Sequence, residues 1–150
     1  MLTITCQPSL TVSSEKKHLT SLDVGLEGFT IYPPLSGLDT GHLMLPLTEL
    51  PDRLGDLSSL ESLRINGSRI ERLPSSITRL KKLAKLDLSM SYNLVIIKEL
   101  DKLKQLPMVR LLNIYDVVAT EEDISLLKNS LQKDVKIITT TEEFLEGYDN

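Results

Sequence analysis

One spacing constrains the fold of this chain more than any other feature of its sequence. The motif Leu-x-x-Leu-x-Ile at residues 60–65 returns as Leu-x-x-Leu-x-Leu at residues 83–88, a displacement of 23 residues. The motif has the period of a strand at its end, whereas the isoleucines and leucines of residues 70–80 advance by three or four, as in a helix or 3₁₀ turn. A repeat that changes period halfway predicts one coil of a solenoid, which buries its leucines only when further coils stack on it.

The complete unit, "LESLRINGSRIERLPSSITRL" at residues 60–80, resembles the short, LP-containing repeats of the leucine-rich repeat family, which have about 23 residues each. The resemblance extends over about residues 43–138. It implies an α/β fold, namely a short solenoid with a parallel β-sheet on its concave face and a C-terminal helix–strand cap. The closing segment "ISLLKNSLQKDVKII" is similar to the ends of small bacterial leucine-rich repeat proteins, so the resemblance favours a protein of bacterial type.

The segments around the clear repeats predict a single domain over residues 1–150. The motif returns once more at residues 109–114 after 26 residues, which a longer helical return would absorb. Thr120 and the acids after it predict the start of a capping helix, and we expect the polar end to be mobile beyond Leu145. The first methionine, the few coils and the cap favour a complete chain. The predicted segments are an N-terminal cap (1–18), a degenerate repeat (19–29), a proline-containing insertion (30–46), the repeat core (47–118), a C-terminal cap (119–138) and an acidic tail (139–150).

The bend after each strand carries a second expectation. Leucine-rich repeats usually place an asparagine there, whose side chain bonds to exposed backbone. In this chain Ser68 occupies the position in the first clear repeat, and we expect Asn93 to occupy it in the next. Serine replaces asparagine only in part, so we expect a less regular bend.

Charge and composition exclude several classes of function. A net charge of −4 provides no global field to attract nucleic acid or an anionic membrane. The longest uncharged apolar stretch, at residues 93–97, is far shorter than the roughly 20 residues of a spanning helix. Residues 1–17 do not have the pattern of a secretory signal, and the single Cys6 permits no intrachain disulfide. These features favour the cytoplasm.

A catalytic centre is not evident in the sequence. The two histidines, His18 and His42, have no metal-ligand or triad spacing around them. Asp39 and His42, with Tyr32, are the residues around which an improvised enzyme site is conceivable, although such a pair is more often a surface hydrogen bond. The glycines do not match a phosphate-binding pattern. We therefore predict no enzyme, no cofactor, no metal and no small-molecule substrate.

The residues between the buried leucines face solvent on the inner strands and are the candidates for binding a partner. For each of them the alternative is that it only keeps the sheet soluble. Mixed charge with exposed apolar groups is typical of a protein-binding surface. The predicted partner-binding residues are Arg64, Asn66, Lys85, Asp87, Met90, Arg110, Asn113 and Tyr115.

These observations favour a non-enzymatic, cytoplasmic protein that binds one specific protein partner. The most concrete hypothesis is an immunity or inhibitor protein that covers a cognate toxin or effector. A recognition segment of a larger leucine-rich repeat receptor or effector is the first alternative, and an enzyme around Asp39 and His42 is the second. A flat inner face of a few short strands is smaller than the roughly 800 Å² that one side of a standard interface needs. We therefore expect a partner also to contact the insertion, the bends at 66–68 and 89–93, or the C-terminal tail.

Overall fold

The computed structural model describes residues 18–25 and 47–148, and these residues form a parallel sheet of five strands arranged in chain order. Ser62 pairs with Lys85 and Lys85 pairs with Leu111, which are the displacements of 23 and 26 residues expected from the repeat. The predicted α/β solenoid with a parallel sheet is therefore confirmed. Its strands are β1 (Ser21–Asp23), β2 (Ser62–Arg64), β3 (Lys85–Asp87), β4 (Leu111–Asn113) and β5 (Lys136–Ile138).

Short helices return the chain from one strand to the next. Two of the 3₁₀ helices follow a proline, Pro51 or Pro74, whose fixed φ holds extended backbone just before the helix begins. The return before β4 is longer because its 3₁₀ helix continues into an α-helix, and this accommodates the extra residues of that repeat. The 3₁₀ helices are Asp52–Asp56, Ser75–Arg79 and Ile96–Glu99, and α1 is Leu100–Leu103.

The repeated leucines and isoleucines form one core between the sheet and the helical returns. Leu63, Leu86 and Leu112 are the middle residues of β2, β3 and β4; they lie in register and are almost completely buried. Burying a leucine side chain stabilises a fold by about 1.5–3 kcal/mol. Because each coil contributes several such residues, the stacked coils bury what one coil would expose. The core of the two clear repeats consists of Leu60, Leu63, Ile65, Ile70, Leu73, Ile77, Leu80, Leu83, Leu86 and Leu88.

The bend after each of β2, β3 and β4 contains one residue with left-handed backbone. These residues are Gly67, Met90 and Asp116, with φ of 67°, 56° and 57°. They are displaced from one another as the strands are, so the same turn is repeated in three coils. Only the first uses glycine, the residue that adopts this conformation without a steric penalty.

A pair of buried serines takes the place of the expected bend asparagines. The hydroxyl groups of Ser68 and Ser91 are 2.8 Å apart and hydrogen-bond to each other between neighbouring coils. The expectation for Asn93 is wrong: its side chain is exposed and its Nδ2 donates to the Arg69 carbonyl oxygen at 3.4 Å. Ser91 lies 23 residues after Ser68, so the repeat displacement identifies the correct position.

The predicted C-terminal helix and strand form. Helix α2 (Glu121–Ser130) begins at Thr120, whose hydroxyl oxygen accepts from the Asp123 N–H at 3.1 Å. The Asp123 carboxylate accepts from the Thr120 N–H at 2.9 Å, which completes a capping box. Leu127 of α2 is buried in the core, and β5 then pairs with β4.

A further helix, α3 (Thr141–Tyr148), forms within the predicted acidic tail. It has its own capping box: the Glu143 carboxylate accepts from the Thr140 N–H at 3.2 Å, and the Thr140 hydroxyl accepts from the Glu143 N–H at 3.2 Å. The Glu143 carboxylate also accepts from the Thr139 N–H at 2.9 Å, and this bond is the main cause that lowers the pKa of Glu143. The expectation of a mobile end beyond Leu145 is thus replaced by a helix that continues to Tyr148.

Several predicted segments lie outside the described residues. These are the N-terminal cap up to residue 17, with Cys6, and the whole insertion at 30–46. Strand β1 lies within the degenerate repeat predicted at 19–29. In the described ranges, no helix combines the length and apolarity that crossing a membrane requires.

Candidate functional site

The outward side chains of the strands form two columns on the concave face. The middle residue of each strand is buried, and the residues on either side of it face the other way. Together with Phe144 of α3, most members of the two columns line an open groove of about 360 Å³. The first column consists of Ser21, Ser62, Lys85, Leu111 and Lys136, and the second of Asp23, Arg64, Asp87, Asn113 and Ile138.

An ion network spans the N-terminal half of the groove. The guanidinium of Arg64 lies between two carboxylates, with Nη1 3.6 Å from Asp23 Oδ2 and Nε 3.3 Å from Asp87 Oδ2. All three side chains are partly exposed, so each pair contributes only about 0–1 kcal/mol to stability. The network matters more for recognition, because it neutralises and orients the charges of β1, β2 and β3.

The polar residue at the end of a strand also shapes the following bend. In β1, β3 and β4 this residue is Asp23, Asp87 or Asn113, and its Oδ1 accepts from the backbone N–H two residues later at 3.0, 3.0 and 3.1 Å. Such bonds are typical of Asp and Asn in turns. Arg64 occupies the position in β2 and bonds across strands instead. Asp and Asn at these positions are therefore needed for the fold as well as for the surface.

The C-terminal half of the groove has a different character. Lys85 of β3, Leu111 of β4 and Lys136 of β5 lie side by side in register. Within the described residues, neither lysine has an ion-pair partner. Ile138 and Phe144 line the groove beside them. This half presents two ammonium groups around an apolar centre.

Helix α3 is held at this end of the groove by Tyr115. The rings of Tyr115 and Phe144 have their centroids 4.8 Å apart and are tilted by 30°, a geometry in the favourable range for aromatic pairs. The Thr141 hydroxyl donates to the Tyr115 hydroxyl oxygen at 3.4 Å. Tyr115 therefore positions Phe144 at the groove in addition to being partly exposed itself.

Four of the eight predicted partner-binding residues line the groove, namely Arg64, Lys85, Asp87 and Asn113. Three others lie outside its lining. Met90 is in the bend after β3, Tyr115 contacts α3, and Arg110 precedes β4 with its Nε 3.1 Å from Asp134 Oδ2. That any of them binds a partner stays a prediction.

The prediction that Asn66 is exposed for a partner is wrong. Its side chain is 1% exposed and packs against Gly25, where an added Cβ would lie only 1.4 Å from Asn66 Oδ1. The strand ends at Arg64, so the alternation of outward residues no longer holds at Asn66. Within the described residues, neither polar atom of its side chain has a hydrogen-bond partner.

Sequence reasoning did not select three groups that line or flank the groove, Lys136, Ile138 and Phe144. The first two could have been found by continuing the register into the last strand, which the sequence does predict. Phe144 depends on α3, whose start is signalled by Thr140-x-x-Glu143, a capping-box pattern. Its place at the groove depends on the contact with Tyr115.

The residues of the alternative enzyme site, Tyr32, Asp39 and His42, lie outside the described residues. His18 is described and exposed. Within residues 18–25 and 47–148 no three side chains of histidine, cysteine, aspartate or glutamate come together as metal ligands would. The chemistry of the described groove is that of charge and apolar contact.

Comparison with curated proteins identifies plant relatives, although no known family profile matches the chain. The chain is 33% identical over 120 residues to the disease resistance protein RFL1 of Arabidopsis thaliana, which covers 79% of this chain and 13% of that protein. It is 36% identical over 100 residues to the probable disease resistance protein At1g12290 of the same plant, with coverage of 67% and 11%. A third, the probable disease resistance protein At1g51480, is 29% identical over 136 residues, with coverage of 91% and 15%. The chain thus spans at most 15% of the length of these relatives.

Comparison with solved structures supports the fold independently. The leucine-rich repeat protein LIC12759 of Leptospira interrogans superimposes with a TM-score of 0.51 at 23% sequence identity, covering 61% of this chain and 22% of that one. The same architecture follows from the repeat of 23 residues, the buried leucines and the parallel strands in register. The chain belongs to the leucine-rich repeat family.

Proposed function

We propose that the chain is a non-enzymatic scaffold that binds a protein partner across its concave sheet. The observation that carries this proposal is the groove of about 360 Å³, to which all five strands and α3 contribute. Its side chains lie in register on a rigid sheet, so their spacing is set before a partner arrives. Preorganisation of this kind reduces the entropic cost of binding.

The charged groups of the groove support a binding role rather than a chemical one. Asp87 uses one carboxylate oxygen for Arg64 and the other for the N–H and hydroxyl of Ser89, at 3.3, 3.0 and 2.6 Å. Asp23 is similarly divided between Arg64 and the Gly25 N–H. Carboxylates engaged in this way hold the surface in shape, whereas a general base must be able to reach a substrate proton.

The size of the sheet indicates what else a partner touches. Four inter-strand spacings of about 4.8 Å and three residues of strand give a face of roughly 200 Å², far below the roughly 800 Å² of one side of a standard interface. The bend at residues 66–68 adds little because it is buried. Exposed Tyr92 in the next bend and the α3 side of the groove are the flanks that we expect a partner to contact.

A matched pair of variants tests the site. Leu111 faces the groove, and Leu126 is an exposed leucine of α2 that does not line it. Chemical cross-linking followed by mass spectrometry of the tagged chain in its source cells should recover one dominant protein at near-stoichiometric amount. We expect Leu111→Arg to lose that protein and Leu126→Arg to keep it, with unchanged melting temperatures for both. Equal recovery with the two variants would contradict a concave binding site.

The relatives favour a second candidate, a recognition segment of a larger leucine-rich repeat protein. It is supported by the similarity to disease resistance proteins, of which the chain matches at most 15% of the length. Sequencing the gene on both sides of the region that encodes residues 1–150 tests it, and further repeats in frame are the expected result. A stop codon directly after Asn150, with no coding sequence upstream, would contradict it.

The hypothesis of an immunity or inhibitor protein, and with it the bacterial type and cytoplasmic location, stays a prediction. It requires that the captured partner be an enzyme or toxin whose activity falls when the purified chain is added. A partner whose activity is unchanged at saturating chain would contradict inhibition while leaving the binding role intact.

A further inference from the structure

We propose that the groove selects an acidic peptide segment in which two carboxylates flank an apolar side chain. This inference rests on the proposed function and specifies the chemistry of the partner. It follows from which charges of the concave face are already neutralised and which are available.

The N-terminal half of the face offers no net positive charge. Arg64 lies between Asp23 and Asp87, so this part of β1–β3 carries two carboxylates for one guanidinium. A basic peptide would find the carboxylates engaged, and an acidic one would be repelled by the excess. The N-terminal half therefore limits where an acidic segment lies.

The C-terminal half has the opposite balance. Lys85 and Lys136 belong to the outward column of β3 and β5, and within the described residues no carboxylate pairs with either ammonium group. The other cation at this end, Arg110, is engaged by Asp134 at 3.1 Å. Unpaired lysines beside a groove favour carboxylates as their complement.

The apolar component lies between the two lysines. Leu111 occupies the same column on β4, directly between Lys85 and Lys136 in the register. Ile138 and the ring of Phe144 line the groove at the same end. Together these groups form an apolar floor between two positive charges, a combination that single surface lysines do not provide.

The spacing of the lysines describes the segment that fits. Their strands are two steps apart, which is about 10 Å at an inter-strand spacing of about 4.8 Å. An extended peptide spans this distance in about three residues at 3.3 Å each, and a helix in about seven residues at 1.5 Å each. We therefore expect acidic residues at positions i and i+3 of an extended ligand, or i and i+7 of a helical one, with an apolar residue between them.

A long polyanion such as nucleic acid fits the face less well. The chain has a net charge of −4, and two isolated lysines do not make a continuous positive track. Asp23 and Asp87 lie on the same sheet, where they would oppose a phosphate backbone. A short acidic peptide avoids them by using only the C-terminal half.

The test is a selection of displayed random 16-residue peptides on the immobilised full chain, at low and at physiological salt. We expect the enriched peptides to carry two acidic residues around an apolar one, and their affinity to fall as salt screens the charges. Enrichment of basic or uncharged peptides, or of none, would overturn the proposal.

Matched charge variants locate the binding of the enriched peptides. Lys85→Glu/Lys136→Glu should weaken it by at least about tenfold, since two exposed ion pairs become repulsive. Lys82→Glu/Lys133→Glu is the control, because it changes the net charge equally at exposed lysines that do not line the groove. Equal weakening by both double variants would mean general electrostatics and would overturn the proposal, as would a single-stranded oligonucleotide that binds Lys85 and Lys136 as tightly as the peptides.

The outcomes separate this inference from the proposed function. Peptides that lack acidic residues but are lost with Leu111→Arg would contradict the acidic ligand and still place binding at the groove. Peptides or proteins that bind all of these variants equally well would contradict both. Repeating the selection on Lys85→Glu/Lys136→Glu should invert the preference toward basic peptides.

Discussion

Replacing Glu99 by alanine is the sharpest test of how the coils are joined. Glu99 is the one acidic or basic residue that is buried in the described ranges, at 3% exposure. Its Oε2 accepts from the Leu73 N–H of the preceding coil at 3.2 Å and from Lys102 Nζ at 2.7 Å. Lys102 Nζ also donates to the Leu73 carbonyl oxygen at 2.6 Å. Two side chains thus satisfy both backbone groups of Leu73, just before Pro74.

The magnitude follows from what alanine would leave unpaired. A buried N–H without an acceptor costs about 1–3 kcal/mol. Lys102 would lose its carboxylate, but its side chain is 25% exposed and can turn to water, so this adds no more than about 1 kcal/mol. We expect Glu99→Ala to lower the free energy of unfolding by about 2–4 kcal/mol, a large fraction of the roughly 5–15 kcal/mol of a typical domain.

Urea unfolding followed by circular dichroism measures this loss. With an m-value of about 2 kcal/mol/M, a loss of about 3 kcal/mol lowers the midpoint by about 1.5 M. Glu99→Gln keeps an oxygen that can accept from the Leu73 N–H and should cost only about 1 kcal/mol. The control Lys98→Ala removes an exposed neighbouring side chain and should stay within about 0.5 kcal/mol of the wild type. A loss for Glu99→Ala no larger than that of Lys98→Ala would refute the reasoning.

Three further perturbations test other parts of the fold. Gly55→Ala would place a Cβ 2.3 Å from the Ser76 carbonyl oxygen of the next coil; we expect a loss of about 1–3 kcal/mol in thermal unfolding, and an unchanged melting temperature would show that the returns are not tightly stacked. Met90→Gly relieves left-handed backbone at φ 56° and should raise stability by about 0.5–1 kcal/mol; a loss of stability would contradict strain at this bend. The pKa of Glu143 is lowered chiefly by the Thr139 N–H, so its contribution to α3 is complete above the ordinary glutamate pKa of about 4.3 and is lost as the pH falls through the lower folded value. Hydrogen exchange of the α3 amides should therefore accelerate in acid for the wild type, and Glu143→Gln should remove that dependence; the same acid response in the variant would contradict it.

The fold was predictable because its determinants are local. Within a coil, a change from period two to period three or four specifies where the strand ends and where the helical return begins. The leucines at 60, 63, 83 and 86 are all buried as the pattern predicts. Even the longer return through α1 follows from a displacement of 26 residues that is visible in the sequence.

The candidate site was predictable only in part because it depends on contacts between coils. Lys85 and Asp87 alternate with Leu86 in one strand, so their outward direction follows from period two. Asn66 continues the alternation on paper, but β2 has ended before it, and the packing against Gly25 buries it. No local pattern distinguishes these two cases.

The sequence alone therefore determined the coil, the register of the parallel strands and the enclosed column of aliphatic side chains. Only the tertiary structure decided that Arg64 neutralises Asp23 and Asp87, that Glu99 reaches the backbone of Leu73, and that Phe144 rests on Tyr115 at the groove. The physical reason is that burial of a regular apolar stripe depends on neighbours along the chain. Polar and aromatic partners meet across 23 to 41 residues, where the distance of approach is set by how coils stack.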